Sequence, residues 1–470
     1  MLSEKAAIPE NLALPGDLRE CKWWRPRTIA VLNEPSKSDL MQRQMLPKLM
    51  AAFAEQGHHV LSQPTGLVHL MLAFEDLQAL DQPLPERIPE RHLPLALTLM
   101  REYGLERRPE NLIVFVSISE RLSTWPHAQV VEMARTASAR IGTPKIVFLS
   151  GDRRTGDLYE ATYCTLEGGH PTDTKDIIAT LRDRLVSAAC AREVGNDYEI
   201  VENGLPLTAW QRSRTPEALI EAGHRMAALR LLPPPRRIHE YVSSDLARIY
   251  QHYLGMKGFS EGMLFAFDPD TRTMMVTASG SWDVDKRALH REEIIAIGGV
   301  KNGKIQVLAP EGGKPKGPSV EALEMYSLLS SVPTVRLSRN QQGQWSLDPS
   351  GEVVVPVIRG GVHVHVGIRA ADERRIESVP LNRRDFPYGF GCGTDLMKEL
   401  AQDAARRSHA ITDPSDPRSF VRWLMLYHGD TMVELWRPGV PAQALQGLLD
   451  MYDPQKGGAV DYTPDDIRQG

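Results

Sequence analysis

Residues 28–200 alternate short apolar segments with longer amphipathic segments. The apolar segments lie at 27–34, 58–64, 111–119 and 144–151, and the amphipathic ones at 38–57, 94–105, 126–142 and 174–194. Strands that alternate with helices require right-handed crossovers, which produce a parallel sheet with helices on both faces. The pattern predicts an α/β fold that begins with a doubly wound, Rossmann-like parallel sheet. In the helix at 38–57 we expect Ser38 as the N-cap and a kink or break at Pro47.

The pattern of helical and strand-like segments changes twice in the rest of the chain. A helix that begins near Thr215 is followed by a triple proline, which is typical of a stiff connection. Residues 238–332 mix helical and strand-like segments, and from 333 onward strand-like segments predominate. We therefore predict, after a doubly wound parallel sheet, a mixed α/β middle domain and a β-rich C-terminal domain. The predicted bounds are an arm at 1–27, the doubly wound domain at 28–200, a linker and hinge helix at 201–237, the mixed domain at 238–332, and the β-rich domain with one inserted helix at 333–470.

The loops after three of the predicted strands are expected to line one crevice. In doubly wound sheets, ligands bind beyond the carboxyl ends of the strands. These loops lie at 33–39, 117–125 and 150–157. None of them contains GxGxxG or GxxxxGK[ST], so the sequence does not favour a nucleotide.

Charge and cysteine content restrict the class of partner. The formal net charge is -5, which gives no overall attraction to phosphate backbones, so we expect no nucleic-acid partner. No apolar run approaches the roughly 20 residues that span a bilayer, so we expect no membrane partner. The four cysteines show no paired spacing, which favours a reducing, cytoplasmic location.

The segment RGGVHVHVGIR (359–369) places His363 and His365 two positions apart in a predicted strand. Alternate residues of a strand face the same side, so both imidazoles would leave one face of the sheet. Two such imidazoles hold a divalent metal when a third ligand is supplied from elsewhere. The alternative is a pair of histidines on an exposed or hydrogen-bonded strand face.

Cys392 lies in the glycine-rich segment YGFGCGTDLMKEL (388–400), just before a predicted helix. The positive end of a helix dipole raises the thiolate fraction of a cysteine, which suggests a catalytic thiol. Gly391, Gly393 and Thr394 would offer backbone N–H groups to a substrate anion. The alternative is a tight turn with a buried cysteine.

A group of acids lies in the segment 258–287. Glu261 is followed by Asp283 and Asp285, which share one strand face if SWDVD is extended. Carboxylates in a cleft serve a hard divalent cation or a proton transfer. The adjacent Lys286 and Arg287 would bind a substrate carboxylate or phosphate. The alternative for all of these side chains is an ordinary solvated surface.

The GFSEG segment (258–262), an aspartate some 24 residues later and the order of the three predicted domains resemble the L-fucose and L-arabinose isomerase superfamily. The resemblance implies a manganese-type ion that polarises a sugar carbonyl and hydroxyl during aldose–ketose interconversion. It implies Glu261 and Asp285 as metal ligands, one of which also transfers a proton, with His428 or His365 as the imidazole ligand.

The leading hypothesis is therefore a cytoplasmic enzyme that uses a divalent metal (manganese, magnesium or zinc) on a small polar substrate such as a sugar or sugar acid. Two alternatives stay open: a non-catalytic regulatory protein that binds a small anion or a partner, and a thiol enzyme that uses Cys392. A homo-oligomer is compatible with each of them, since ring-like assemblies often build sites between subunits.

Overall fold

A computed structural model provides the structure of the chain. The residues it describes are 26–61, 68–75, 94–105, 112–143, 145–164, 169–171, 176–191, 198–229, 235–259, 262–278, 289–301, 304–319, 322–330, 332–364, 368–369, 376–380, 420–425, 429–436, 443–453, 455 and 459–460. Helices and mixed sheets together confirm the α/β class.

The first sheet has seven strands. They are β1 (Thr28–Val31), β2 (His59–Leu61), β3 (Leu70–Glu75), β4 (Leu112–Ile118), β5 (Lys145–Gly151), β6 (Leu158–Cys164) and β7 (Gly169–Pro171). Their order is β2-β1-β3-β4-β5-β6-β7. The first five pair in parallel, whereas β6 and β7 pair antiparallel at one edge. The sequence predicted β1, β2, β4 and β5, but it did not predict β3 or the antiparallel edge.

Helices cover both faces of this sheet. They are α1 (Leu40–Glu55), α2 (Leu95–Glu102), α3 (His127–Ile141) and α4 (Ile177–Ala191). Apolar side chains of α1 and α4 form the core on one face, and those of α2 and α3 contribute to the core on the other. Strands β4 and β5 are apolar at nearly every position because both faces are covered.

The start of α1 differs from the prediction. The N-cap is Asp39, not Ser38, because the Asp39 carboxylate accepts a hydrogen bond from the Gln42 N–H at 3.0 Å. Pro47 lies inside the helix, which runs unbroken to Glu55. The helix therefore does not split at Pro47, and a kink there stays a prediction.

The second sheet has nine strands. They are β8 (Tyr198–Val201), β11 (Met263–Asp268), β12 (Thr273–Thr277), β13 (Ile294–Lys301), β14 (Lys304–Leu308), β18 (Ile358–Val364), β20 (Ile376–Pro380), β21 (Phe420–Met425) and β22 (Gly429–Leu435). Their order is β20-β21-β22-β18-β11-β12-β13-β14-β8. The predicted hairpin at DPDTRT is confirmed as the antiparallel pair β11–β12. The second predicted hairpin is confirmed as the antiparallel pair β21–β22, but Gly429 and Asp430, which were expected in its turn, are paired residues of β22.

Small sheets and further helices complete the described architecture. The remaining strands are β9 (Arg236–Arg237), β10 (Gly258–Phe259), β15 (Thr334–Arg339), β16 (Trp345–Leu347), β17 (Val353–Pro356), β19 (Ile368–Arg369) and β23 (Ala459–Val460). The remaining helices are α5 (Leu207–Arg212), α6 (Thr215–Ala228), α7 (Ser244–Ile249), which continues as a π-helical turn (Tyr250–Leu254), α8 (Ala322–Leu329) and α9 (Gln446–Met451). Strands β15, β16 and β17 form a sheet of their own in the order β16-β15-β17.

The nine-stranded sheet has a core on each face. On one face it packs with α8 and the three-stranded sheet, and on the other with α6 and α9. Its strands come from 198–201, 263–308 and 358–435, and residues 238–259 contribute apolar side chains to a core of the first sheet. The domain bounds proposed from the sequence stay a prediction.

Within the described part of the chain, no helix combines the length and the apolar character needed to cross a bilayer.

Candidate functional site

Most of the side chains singled out from the sequence lie outside the described residues. These are Glu261, Asp283, Asp285, Lys286, Arg287, His365, Gly391, Cys392, Gly393, Thr394 and His428. Among the residues that the structure describes, no group of three or more His, Cys, Asp or Glu side chains is placed to hold a metal ion. The metal site and the Cys392 site therefore stay predictions.

His363 is the one predicted ligand within the described residues. It lies in β18 opposite Met263 of β11 and Thr431 of β22, and it is 1% exposed. Residues directly opposite in antiparallel strands share a face, so His363 lies on the face of Met263, whose side chain belongs to the core against the three-stranded sheet. The alternative of an exposed strand face is wrong for His363, because β18 is paired on both sides and this face is covered, whereas the alternative of a hydrogen-bonded face stays open.

The loops at 33–39 and 150–157 meet at the carboxyl end of the first sheet, as predicted. Arg153 donates from Nε to the Asp39 carboxylate at 3.1 Å, and the Leu40 N–H donates to the Arg153 carbonyl at 2.9 Å. The third loop approaches β6 instead, where the Ser123 N–H donates to the Glu160 carboxylate at 3.1 Å. These contacts hold the loops against the strand ends.

A cleft of about 450 Å³ opens at one end of the nine-stranded sheet. The start of α6, the end of β11 and its turn, the tip of the β15–β16 hairpin, the start of β18 and the segment after β22 line it. Its volume is in the range of small-molecule sites. The polar and aromatic side chains that line it are Arg214, Thr215, Glu217, Asp268, Asp270, Arg339, Gln342, Gln344, Trp345, Arg359, Trp436 and Gln443.

A β-bulge places Arg359 in the wall of this cleft. The register between β18 and β22 shifts between Ile358 and Gly360, which leaves Arg359 as the extra residue of β18. Bulges redirect a side chain and are common beside binding sites. The next residue, Gly360, has no room for a side chain, because a Cβ there would approach the Phe265 carbonyl oxygen to 2.6 Å. Close strand packing thus fixes the backbone that carries this arginine.

The Arg359 side chain is only 4% exposed although it is charged. Its guanidinium carbon lies 4.7 Å from the centroid of the Trp436 ring, a distance at which a cation is attracted to the ring face. Its Nη1 lies 3.9 Å from a carboxylate oxygen of Glu434, beyond hydrogen-bond distance. Burial lowers the pKa of Arg359, and the Glu434 charge opposes that effect. Arg359 is therefore a buried cation next to an aromatic ring and a buried carboxylate.

Glu434 lies behind Arg359 and is fully buried. Its Oε2 accepts the Leu445 N–H at 2.8 Å, and the Gly447 N–H also interacts with the carboxylate. Within the described residues its Oε1 has no hydrogen-bond partner. Burial raises the pKa of Glu434, while Arg359 and the two backbone N–H groups act in the opposite direction. Two backbone N–H groups thus help to hold this carboxylate in position.

Asp268, which also lines the cleft, is a carboxylate whose two oxygens both accept hydrogen bonds. Its Oδ1 accepts hydrogen bonds from Ser213 Oγ at 2.9 Å and Thr215 Oγ1 at 2.8 Å. Its Oδ2 accepts from the Thr271 N–H at 2.8 Å and from Thr271 Oγ1 at 2.6 Å. Four donors leave this carboxylate little capacity for a ligand. Because the donors lie before and at the start of α6 and in the β11–β12 turn, Asp268 joins these two segments.

Asp270 joins two walls of the cleft. It forms ion pairs with Arg339 of the β15–β16 hairpin and, at 3.4 Å, with Arg212 of α5. It also accepts a hydrogen bond from the Trp345 indole at 3.3 Å, and Arg339 lies 4.7 Å from the centroid of that ring. The carboxylate is therefore occupied by three groups, and the hairpin is fixed against the turn.

Arg214 stands at the rim. It is exposed and, among the described residues, no carboxylate forms an ion pair with it. The lining acids Asp268, Asp270 and Glu217 all have partners, the last of these in Arg291. The cleft therefore presents cationic donors at its wall and its rim.

Sequence reasoning missed this cleft. The segment RGGVHVHVGIR contains Arg359, but only its two histidines were interpreted as functional residues. The available signal was an arginine followed by two glycines inside an apolar strand, which is typical of a bulge. The partners Trp436 and Glu434 lie more than 70 residues away, and only strand pairing brings them together.

Comparisons of the chain with protein-family models, with curated proteins and with solved structures found no match.

Proposed function

We propose that the cleft binds a small organic anion and that this binding is the function of the nine-stranded sheet. The observation that carries the proposal is a cleft of about 450 Å³ that has the buried guanidinium of Arg359 in its wall and the exposed guanidinium of Arg214 at its rim. Two guanidinium groups that line one cleft favour an anionic ligand.

The other lining residues support a carboxylate with a polar body. A guanidinium matches a planar carboxylate through two parallel hydrogen bonds. The side chains of Gln342, Gln344 and Gln443 offer both donors and acceptors, which suit hydroxyl groups. Phe267 and Trp345 supply apolar surface. We therefore favour a hydroxylated organic acid, of which a sugar acid is one example.

The experiment is a thermal-shift and NMR screen of small carboxylic acids, including sugar acids, on the wild-type protein and on Arg359→Gln. We expect hits that stabilise the wild type and that lose at least tenfold in affinity in the variant, since a charge-assisted hydrogen bond contributes about 1.5–3 kcal/mol. Arg248→Gln is the matched control, because Arg248 is 77% exposed and does not line the cleft. Equal affinity in wild type and Arg359→Gln would contradict the proposal.

Metal-dependent isomerisation of a sugar at Glu261, Asp285, His363, His365 and His428 stays a second proposal. It rests on the sequence resemblance and on the HxH spacing. Elemental analysis of the purified protein, with and without a chelator, tests it directly. We expect about one ion per chain, lost in a His363→Ala, His365→Ala variant; protein without an ion that remains equally stable in chelator would contradict it.

We also propose the cellular location and the domain division that the sequence predicts. We assign the protein to the cytoplasm on the basis of its unpaired cysteine spacing. We also retain the division into a doubly wound domain, a mixed domain and a β-rich domain. Limited proteolysis followed by mass spectrometry tests the division, with cleavage expected near 201–237 and near 333.

A further inference from the structure

We propose that the cleft takes an acid with two carboxylate groups, one bound at Arg359 and the other at Arg339. This inference rests on the proposed anion site and deepens it, because it names the ligand as a hydroxylated dicarboxylic acid. Arg339 is the last residue of β15 and lines the cleft together with Gln344 and Trp345 of the same hairpin.

The first step is the restraint on the Arg339 side chain. Its guanidinium carbon lies 4.7 Å from the centroid of the Trp345 ring, and its Nη2 donates to Oδ1 of Asp270. The Trp345 indole donates to the other oxygen of the same carboxylate at 3.3 Å. The ring and the carboxylate thus hold the guanidinium in place before a ligand arrives, which lowers the conformational entropy lost on binding.

The second step is the hydrogen-bonding capacity that Arg339 keeps. Among the described residues, Asp270 is its hydrogen-bond and ion-pair partner. This leaves most of the guanidinium N–H donors available to a ligand. The Arg339 side chain is 33% exposed, whereas that of Asp270 is 4% exposed. A ligand that enters the cleft therefore reaches the guanidinium more readily than the carboxylate.

The third step is the charge around Arg339. Asp270 also forms an ion pair with Arg212 at 3.4 Å, so two guanidinium groups share one carboxylate. The three side chains together carry a net positive charge, which attracts an anionic group of a ligand. Because Arg212 is 64% exposed and does not line the cleft, Arg339 is the member of this group that presents the charge to a ligand.

The fourth step is the distance between the two arginines. Gly360, which follows Arg359, pairs with Ala266 of β11. Asp270, the partner of Arg339, lies four residues after Ala266 in the β11–β12 turn. Four residues of extended chain cover about 13 Å, which sets the scale of the separation. A six-carbon acid with a guanidinium bound at each end has a comparable length, so one ligand can reach both arginines.

The alternatives are a structural role for Arg339 and a second carboxylate bound at Arg214. If Arg339 only fixes the hairpin to the β11–β12 turn, Arg339→Gln should weaken monocarboxylic and dicarboxylic acids alike. Arg214 is exposed, and no described residue forms a hydrogen bond with its side chain, so it would lose more conformational freedom on binding. The ratio of diacid affinity to monoacid affinity separates these roles.

The experiment compares two pairs of acids, glucarate with gluconate and adipate with hexanoate. Each acid is titrated at neutral pH and constant ionic strength and followed by NMR and tryptophan fluorescence. Within a pair the chain length is the same and only the second carboxylate differs. We expect the wild type to bind each diacid about tenfold more tightly than its monoacid, which exceeds the statistical gain from two equivalent ends. In Arg339→Gln the ratio should fall to that statistical gain.

Three further variants complete the test. Arg336→Gln is the matched control and should leave the ratio unchanged, because Arg336 lies in the same strand, is exposed and does not line the cleft. Arg339→Lys keeps the charge but loses the fork of donors, so it should keep only part of the ratio. Arg214→Gln should keep the ratio, and a loss in this variant alone would move the second carboxylate to Arg214. If Arg339→Gln does not fold, the wild-type ratio and its change in Arg339→Lys decide the question.

The outcomes separate this inference from the proposed function. If acids bind and Arg359→Gln weakens them, but neither diacid exceeds its monoacid or the excess survives in Arg339→Gln, the second subsite is wrong and the anion site stands. An excess in one pair only supports the second subsite and shows whether it depends on the hydroxyl groups. If no carboxylic acid binds, or Arg359→Gln has no effect, the anion site itself is wrong.

Discussion

The seven-stranded and nine-stranded sheets bury ionisable side chains in different ways. In the first sheet Asp39 and Glu160 accept hydrogen bonds at 2.9–3.1 Å, and His58 accepts the Arg27 N–H at 3.0 Å. In the second, Arg359 lies in the wall of a cleft, 3.9 Å from Glu434 and 4.7 Å from the centroid of the Trp436 ring. The hydrogen bonds of the first sheet hold loops and strand edges in place, whereas the second sheet places a buried arginine beside an open volume.

The largest expected effect concerns His58 in the first sheet. Burial, followed by the positive charge of Arg27, lowers the pKa of His58 to about 3. An unfolded histidine takes up a proton near its ordinary pKa of about 6.5, so the unfolding free energy falls as the pH falls below that value and until it reaches about 3. The loss is as much as about 5 kcal/mol, and it is measured by urea denaturation across this range.

His58→Gln should flatten this part of the pH profile relative to the wild type, because glutamine does not titrate. His59→Gln is the matched control, since the neighbouring His59 side chain is exposed. A His58→Gln profile as steep as that of the wild type would show that His58 is not the group responsible.

Removing the buried arginine of the second sheet should cost less. Arg359→Met leaves Glu434 buried without its cation, which we expect to destabilise the protein by about 3 kcal/mol at neutral pH. Burial raises the pKa of Glu434, so the folded protein takes up a proton at this carboxyl more readily than the unfolded chain does. The cost should therefore shrink as the pH falls and Glu434 takes up a proton, and should grow as the pH rises.

Chemical denaturation at two pH values measures this effect, with Arg248→Met as the exposed control. A cost that does not vary with pH would mean that Glu434 is not the group that responds to the lost cation.

The strand packing that carries Arg359 is tested at Gly361. A Cβ at this position would lie 2.6 Å from the Met432 carbonyl oxygen and 2.7 Å from the Phe265 ring. A backbone oxygen cannot move cheaply, so Gly361→Ala should lower the unfolding free energy by about 2–3 kcal/mol. Gly299→Ala is the control in the same sheet, because the nearest atom to its Cβ is the Tyr326 hydroxyl at 3.6 Å. Equal costs for the two variants would contradict the close approach at β18.

The smallest effect compares one hydrogen bond in each sheet. Thr162→Val removes one of the donors to Glu160, and Thr215→Val removes one of four donors to Asp268. We expect a loss of about 2 kcal/mol for Thr162→Val and about 1 kcal/mol for Thr215→Val, because a carboxylate with more donors loses less. Thermal denaturation measures both, and the reverse order would contradict the saturation assigned to Asp268.

Local patterns in the sequence determined the α/β class, four of the parallel strands, their helices and two hairpins. Apolar runs and helical periodicity are set by neighbours along the chain, so they can be read without a structure. Strand β3 and the antiparallel edge were missed because their apolar runs lack a regular alternation with helices. Asp39 replaced Ser38 as the N-cap because only the geometry of the turn selects between adjacent capping residues.

The candidate site was decided by tertiary structure alone. Arg359, Trp436 and Arg214 are unremarkable in the sequence, and they meet because β18 pairs with both β11 and β22 while α6 packs across the sheet. The sequence showed that His363 and His365 share a strand, but the burial of His363 depends on which strands flank β18. Periodicity specifies which elements form, whereas long-range pairing specifies which charges are buried together, and that second choice placed Arg359 in the wall of the cleft.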